Sequence, residues 1–245
     1  MGFDPVGLVL GTAAFHVGYT SDSECSYRRL SSRSLTVTAS RWTPFTGLVD
    51  SMYAVRTTAL DRMVSECRVR GGDGVVGVTL RAREFPSGTL EFTITGTAVR
   101  ARSRVRPRRP FTSHLSGQDF ARLMHSGWVP TGLAFGISMA SRHGTQGTIR
   151  QTRRTAGNQE VDGYTGLVSD VRRAARAQLT RAARKNGGDG LVVGDMELRV
   201  HEEDCSRGAK DRVAEALIVG TSIARFARPG RQTAPEPLTV MRLER

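Results

Sequence analysis

The chain has 245 residues, with 36 Lys and Arg against 23 Asp and Glu, a formal charge of +13 and a sequence pI near 11.1. Its length suits one large domain or two ordinary ones. No stretch approaches the roughly 18–20 apolar residues of a membrane-spanning helix, and the three dispersed cysteines, Cys25, Cys67 and Cys205, do not make a disulfide framework.

The expectation is therefore a cytoplasmic protein with free thiols and no membrane span. Its charge resembles a nucleic-acid signal. Against that, only Lys185 and Lys210 are lysines, and aromatic residues make up 6% of the chain, so few platforms exist for stacking bases.

In chain order, residues 2–15 (GFDPVGLVLGTAAF) match residues 127–140 (GWVPTGLAFGISMA) at a constant offset. Gly2, Pro5, Gly7, Leu8 and Gly11 correspond to Gly127, Pro130, Gly132, Leu133 and Gly136. A proline followed by glycine-punctuated apolar residues suits a strand entered from a turn. Ahead of the second copy, Ser116 and Asp119 have capping-box spacing, and Phe120, Leu123 and Met124 share a side. A short helix is expected there, without a counterpart in the first copy. Residues 18–44 and 143–163 are polar and read as long loops, with a short strand expected over Ser34–Ala39.

A helix follows in each copy. Met52, Ala59, Met63 and Cys67 form a stripe in the first, with Arg56, Arg62, Glu66 and Arg70 largely off it. In the second, Val168, Val171, Ala175, Leu179 and Ala182 face a sheet while Arg172, Arg173, Arg176 and Arg184 stay in water. Each helix meets the same phrase, GGDGVVGV at 71–78 and GGDGLVVG at 187–194. Gly71 and Gly187 stand where a helix end favours positive φ, and Asp73 and Asp189 are placed to close a turn.

Two strands and a hairpin come next. Val76, Val78, Leu80 and Ala82 alternate with polar residues, Pro86-Ser87-Gly88 turns, and Leu90, Phe92 and Ile94 alternate again. In the second copy, Leu191–Val200 and Val213–Ala224 flank a hairpin over 201–212. Both return strands close on Gly-Thr. The expected fold class is α+β, two repeated β-α-β-β units with the helix on one face of a small, mainly antiparallel sheet. The expected organisation is a first copy over 1–103, an Arg/Pro-rich linker over 104–112, a second copy over 113–228 and a Pro-containing tail over 229–245. Leu238 and Val240 in that tail suit a strand added to a neighbour's open edge.

The combination resembles the YbjQ family, labelled heavy-metal-binding. It is carried by Gly72-Asp73-Gly74 with the following Val75-Val76-Gly77-Val78 and by Gly96-Thr97-Ala98-Val99. In copy two it is carried by Gly188-Asp189-Gly190 and Gly220-Thr221. The resemblance implies a dodecin-like unit, assembly into rings and a homo-oligomer. It implies no established reaction.

A soft-metal site needs converging Cys and His. The one local cluster is His201, Glu202, Glu203, Asp204 and Cys205, a solvated acidic loop by its composition and the candidate for a divalent or heavy metal if the family label holds. Gly72-Asp73-Gly74-Val75-Val76-Gly77 spells a dinucleotide fingerprint, but it runs from helix into strand, the reverse of what phosphate binding requires. Ser138 lies near a nucleophile-elbow pattern yet falls in a strand, without assignable His and Asp partners. Glu91 and Glu215 repeat as surface charges, and Cys67 reads as core.

The reading is a non-enzymatic, oligomeric binding or scaffold protein, its ligand, a metal ion, between subunits. The alternative is binding of nucleic acid or another anionic surface through Arg102, Arg104, Arg106, Arg108 and Arg109 of the linker and Arg172, Arg173 and Arg176 of the second helix.

Overall fold

The computed structural model describes residues 2–16, 43–84, 89–104, 106–144, 146–204, 210–226 and 241–242. The proposed strand over Ser34–Ala39, the turn at 86–88 and the tail positions Leu238 and Val240 lie outside the described residues.

Nine strands and four helices are formed by the described residues. The first unit contains β1 (Phe3–His16), β2 (Thr43–Pro44), α1 (Thr46–Val69), β3 (Gly74–Glu84) and β4 (Thr89–Ala101). Then come β5 (Phe111–Thr112), α2 (Gly117–His125), β6 (Trp128–His143), α3 (Gln146–Gln151), α4 (Asp162–Lys185), β7 (Gly190–Asp204), β8 (Lys210–Arg225) and β9 (Met241–Arg242). The fold is α+β, with a repeated β-α-β-β unit. One sheet has the order β1-β4-β3-β5 and the other β2-β6-β8-β7-β9. Two short strands cross the repeat boundary. β2, from the first repeat, pairs with β6, and β5, from the linker, pairs in parallel with β3.

The repeated phrase acts as its chemistry predicts. Gly71 and Gly187 take φ of 68° and 75°, and the amides of Gly72 and Gly188 return to the carbonyls of Cys67 and Ala183. Ser116 caps α2 by accepting the Asp119 amide at 3.1 Å. Gly11 and Gly136 let the two helices lie against their sheets. A Cβ at Gly11 would sit 1.9 Å from the Ala59 carbonyl oxygen, and one at Gly136 2.2 Å from that of Ala175.

The four main layers are sheet one, α1, sheet two and α4. α4 buries Leu167, Val171, Ala175, Leu179 and Ala183 against β6 and β8, and its other side faces water. α1 is enclosed on both sides. One core joins Val9, Ala13, Phe92, Ile94 and Ala98 of sheet one to Leu133, Phe135, Ile137 and Val219 of sheet two through Val55, Ala59, Met63 and Cys67 of α1. The expected one-sided helix is thus replaced by a two-sided one, and Arg56, expected off the apolar stripe, is 3% exposed. Its guanidinium lies 4.8 Å from the Phe92 ring centre and donates to the Met52 carbonyl. Burial pulls its pKa down while the charges of Glu215 and Glu197 oppose that shift. A stripe drawn for one sheet contact could not show the second.

Other differences are local. Residues 146–151 form α3 within the expected loop, anchored by the buried Thr148 and by Gln151 donating to Asp162. In the second hairpin, strand pairing continues to Asp204↔Lys210. Positions 201–204, expected in the hairpin, therefore belong to β7. The tail pairs at Met241–Arg242, as β9, with the Gly190–Leu191 end of the chain's own β7, not at Leu238 and Val240 with a neighbour as expected.

Candidate functional site

The metal candidates fall on an alternating strand, and that decides their geometry. His201 and Glu203 share one face of β7 and approach at 3.3 Å. Glu202 points to the other face and pairs with Arg212 at 2.6 Å. His201, Glu202 and Glu203 are exposed. Asp204 ends β7, and Cys205 lies outside the described residues. Among the described residues no three His, Cys, Asp or Glu side chains stand where they could hold one ion. His201 with Glu203 supplies at most two donors, so a structural four-coordinate site would need further ligands from elsewhere.

The family-motif residues build the scaffold. Asp73 is 7% exposed and its Oδ2 accepts the Ala101 amide at 2.8 Å, with Arg106 at 3.3 Å. Asp189 in the second copy accepts the Arg225 amide at 3.2 Å and is exposed. Gly74 lies under Phe111, where a Cβ would be 2.3 Å from the ring, and Gly96 lies under Val75. Gly188 and Gly220 are equally confined, by Ser222 and by the Val192 carbonyl.

Thr97 and Thr221 occupy equivalent positions with different roles. Thr97 sits on the outer face of sheet one beside Leu8. Thr221 is fully buried and holds the segment after β5, whose Ser113 backbone bonds Val75 and Val78 of β3: its Oγ1 accepts the His114 amide at 3.1 Å and lies 2.8 Å from His114 Nδ1 and 3.2 Å from Ser113 Oγ. With the amide donating to Thr221, the hydroxyl proton can serve Nδ1 of a neutral imidazole. Burial holds the His114 pKa below its ordinary value, against the opposing charge of Asp119. This network was not legible in the sequence, where Ser113, His114 and Thr221 carry no common motif. Ser138 and Cys67 are buried in the packing, and burial raises the Cys67 pKa.

The candidate anion-binding arginines divide. Arg102 pairs with Asp4 at 2.5 Å, Arg106 with Asp73 and Arg109 with Asp61 at 3.4 Å. Arg104 and Arg108 are exposed with no ion-pair partner among the described residues. On α4, Arg173 pairs with Asp170 at 3.1 Å, while Arg172 and Arg176 are exposed on the outward side. From the Gly71/Gly187 offset these two correspond to Arg56 and Leu60 of α1, which face into the molecule. Helix α1 is shaped to be covered, whereas the matching side of α4 is polar and basic.

The equivalent outer faces of the sheets differ in the same way. Leu133 and Phe135 are buried beneath α1, whereas Leu8 and Leu10, which match them in β1, are 67% and 47% exposed.

Two β-α-β-β units, with motif glycines packed at each helix-to-strand turn, define a tandem α+β protein of the dodecin-like class. Residues 11–102 match a family described as "Putative heavy-metal-binding", YbjQ. The chain is also 31% identical over 198 residues to a Mycobacterium tuberculosis (strain ATCC 25618 / H37Rv) protein named "Encapsulin nanocompartment protein Rv1762c", over 78% of this chain and 70% of that protein. The chain belongs to the YbjQ-like family. No helix of the described residues is long and apolar enough to cross a membrane.

Proposed function

We propose that this chain is a non-catalytic assembly protein, a scaffold or binding component associated with a protein nanocompartment, whose ligand is a metal ion held between subunits. The observation that carries the assembly reading is the outer face of sheet one. Leu8 and Leu10 stand in water at positions whose counterparts, Leu133 and Phe135, are covered inside the chain. An apolar sheet face used once for packing within the molecule is a surface suited to packing between molecules. The name of the mycobacterial relative, an encapsulin nanocompartment protein, supports the same reading. The metal part rests on the family description and on His201 and Glu203 offering an incomplete ligand set that a second subunit can extend.

Native mass spectrometry of untagged protein, prepared without chelators, tests both parts in one spectrum. A closed oligomer with stoichiometric metal, lost in a His201→Ala, Glu203→Ala double variant, is the expected result. A closed oligomer without bound metal refutes the metal part alone, and a bare monomer at high protein concentration refutes the scaffold.

A second reading is favoured by the outward side of α4. Its Arg172 and Arg176 stand exposed beside Arg173, a disposition suited to phosphates or another anionic surface. Salt-sensitive retention on DNA that disappears in an Arg172→Ser, Arg176→Ser variant supports it, and no retention at low salt rejects it.

A further inference from the structure

Among the described residues, sheet two has an open edge along most of β7. Beyond Gly190 and Leu191, which β9 covers, no strand of the described residues lies along β7 from Asp195 onward. Edge strands usually carry devices that block further pairing. Here Met196, Leu198 and Val200 stand on one face at 45%, 42% and 45% exposure, in the same row as the buried Ile218, Ala216 and Ala214 of β8 to which they are paired. Glu197 and Arg199 lie on the other face, with Arg199 Nε donating to Glu197 at 2.7 Å.

We propose that β7 is a homodimerisation edge, pairing antiparallel with β7 of a second copy about a two-fold axis at Leu198. That register follows from the sequence of the strand. Centred on Leu198, Met196 meets Val200, Glu197 meets Arg199, and Asp195 meets His201, each pair occurring twice by symmetry. Apolar side chains meet apolar ones and Glu197 faces Arg199 with opposite charge in both symmetry-related pairs, the arrangement that stabilises antiparallel neighbours. Each Glu197 then stands between its own Arg199 and that of the second copy. The β6-β8-β7 sheet continues unbroken into the second molecule.

The equivalent edge of the first unit shows that this is particular to β7. β3 carries Arg81 and Arg83 where β7 carries Glu197 and Arg199, and Ala82 where β7 carries Leu198. Pairing β3 with itself in the same register would set Arg81 against Arg83 twice, a like-charge contact that disfavours pairing. Among the described residues, the equivalent edges of β3 and β7 thus differ, one closed to self-pairing by charge and the other complementary to itself. The inference rests on β7 alone and is independent of the metal and nanocompartment readings.

A ladder of seven residues a side falls short of the roughly 1,600 Å² of a standard interface, so a weak dimer is expected. Sedimentation velocity of the full chain, up to on the order of 100 μM, should show a monomer–dimer equilibrium. Glu197→Arg and Arg199→Glu should each weaken it about tenfold or more, because each places like charges in both pairs. The double exchange, Glu197→Arg with Arg199→Glu, should restore it, and the two single variants mixed together should form a heterodimer, an all-arginine pair of positions against an all-glutamate pair. Leu198→Cys, oxidised with diamide, should yield a dimer linked peptide to peptide through position 198. A wild-type chain that stays monomeric over this range overturns the proposal. So do single charge variants that dimerise as tightly as the wild type while remaining folded by circular dichroism, or a Leu198→Cys protein that does not cross-link through that position.

Discussion

The backbone amide of Ile137 donates to the hydroxyl of Tyr53 at 2.9 Å, joining residues 84 positions apart, and the same hydroxyl lies 3.4 Å from the Phe135 carbonyl oxygen. A side chain from the helix of one repeat thereby satisfies the edge of the first strand of the other. The edge of β1 is treated alike, since Glu66 accepts the Leu10 amide at 2.8 Å and Arg62 donates to the Thr12 carbonyl. In both cases α1 supplies the groups, which explains how one helix organises both sheets.

Tyr53→Phe should cost about 1–2 kcal/mol, because the Ile137 amide loses its partner while the ring still fills its place. Urea unfolding monitored by circular dichroism measures this. A loss indistinguishable from zero would mean that water replaces the hydroxyl without penalty.

The two helix-to-sheet contacts depend on the absence of a side chain. Gly11→Ala and Gly136→Ala should each destabilise by at least about 2 kcal/mol, because the new methyl meets backbone carbonyls that cannot swing aside. Gly117→Ala, at the exposed start of α2 with nothing within 4 Å of a Cβ, should be neutral or slightly stabilising. Thermal melts of the three variants compare them directly.

Asp73 and Asp189 occupy the same motif position but not the same environment. Asp73→Asn should cost about 1–3 kcal/mol, since a buried carboxylate bonds the Ala101 amide and faces Arg106. Asp189→Asn, at an exposed residue with a longer bond to the Arg225 amide, should cost under about 1 kcal/mol. Equal losses in denaturant titrations would show that burial is not what distinguishes the copies.

His114 predicts a pH dependence. Burial lowers its pKa from the ordinary 6.5, so in acid the unfolded chain takes up a proton that the folded chain resists. Stability from this group is complete above about pH 6.5 and falls as pH drops below it. His114→Asn keeps a polar side chain but cannot titrate, and should flatten the decline in melting temperature between neutral pH and about pH 5.5. A decline equally steep in the variant would assign the effect to other groups.

Much of this molecule was determined by sequence alone. The repeat, its β-α-β-β order, the positive-φ glycines at 71 and 187 and the Ser116 cap follow from local chemistry, because each depends on residues adjacent in the chain or spaced by one helical turn. What surrounds each element was decided only by the tertiary structure. Met63 and Cys67 announce a buried stripe, but nothing near Arg56 or Tyr53 announces a second sheet, since the three long strands of that sheet lie within residues 128–225. Likewise His201 to Asp204 read as a hairpin cluster until strand pairing separated alternate side chains onto opposite faces. The same long-range packing left Leu8 in water and buried Leu133. A sequence specifies such equivalent positions locally, whereas only the arrangement of layers determines which of them lies inside.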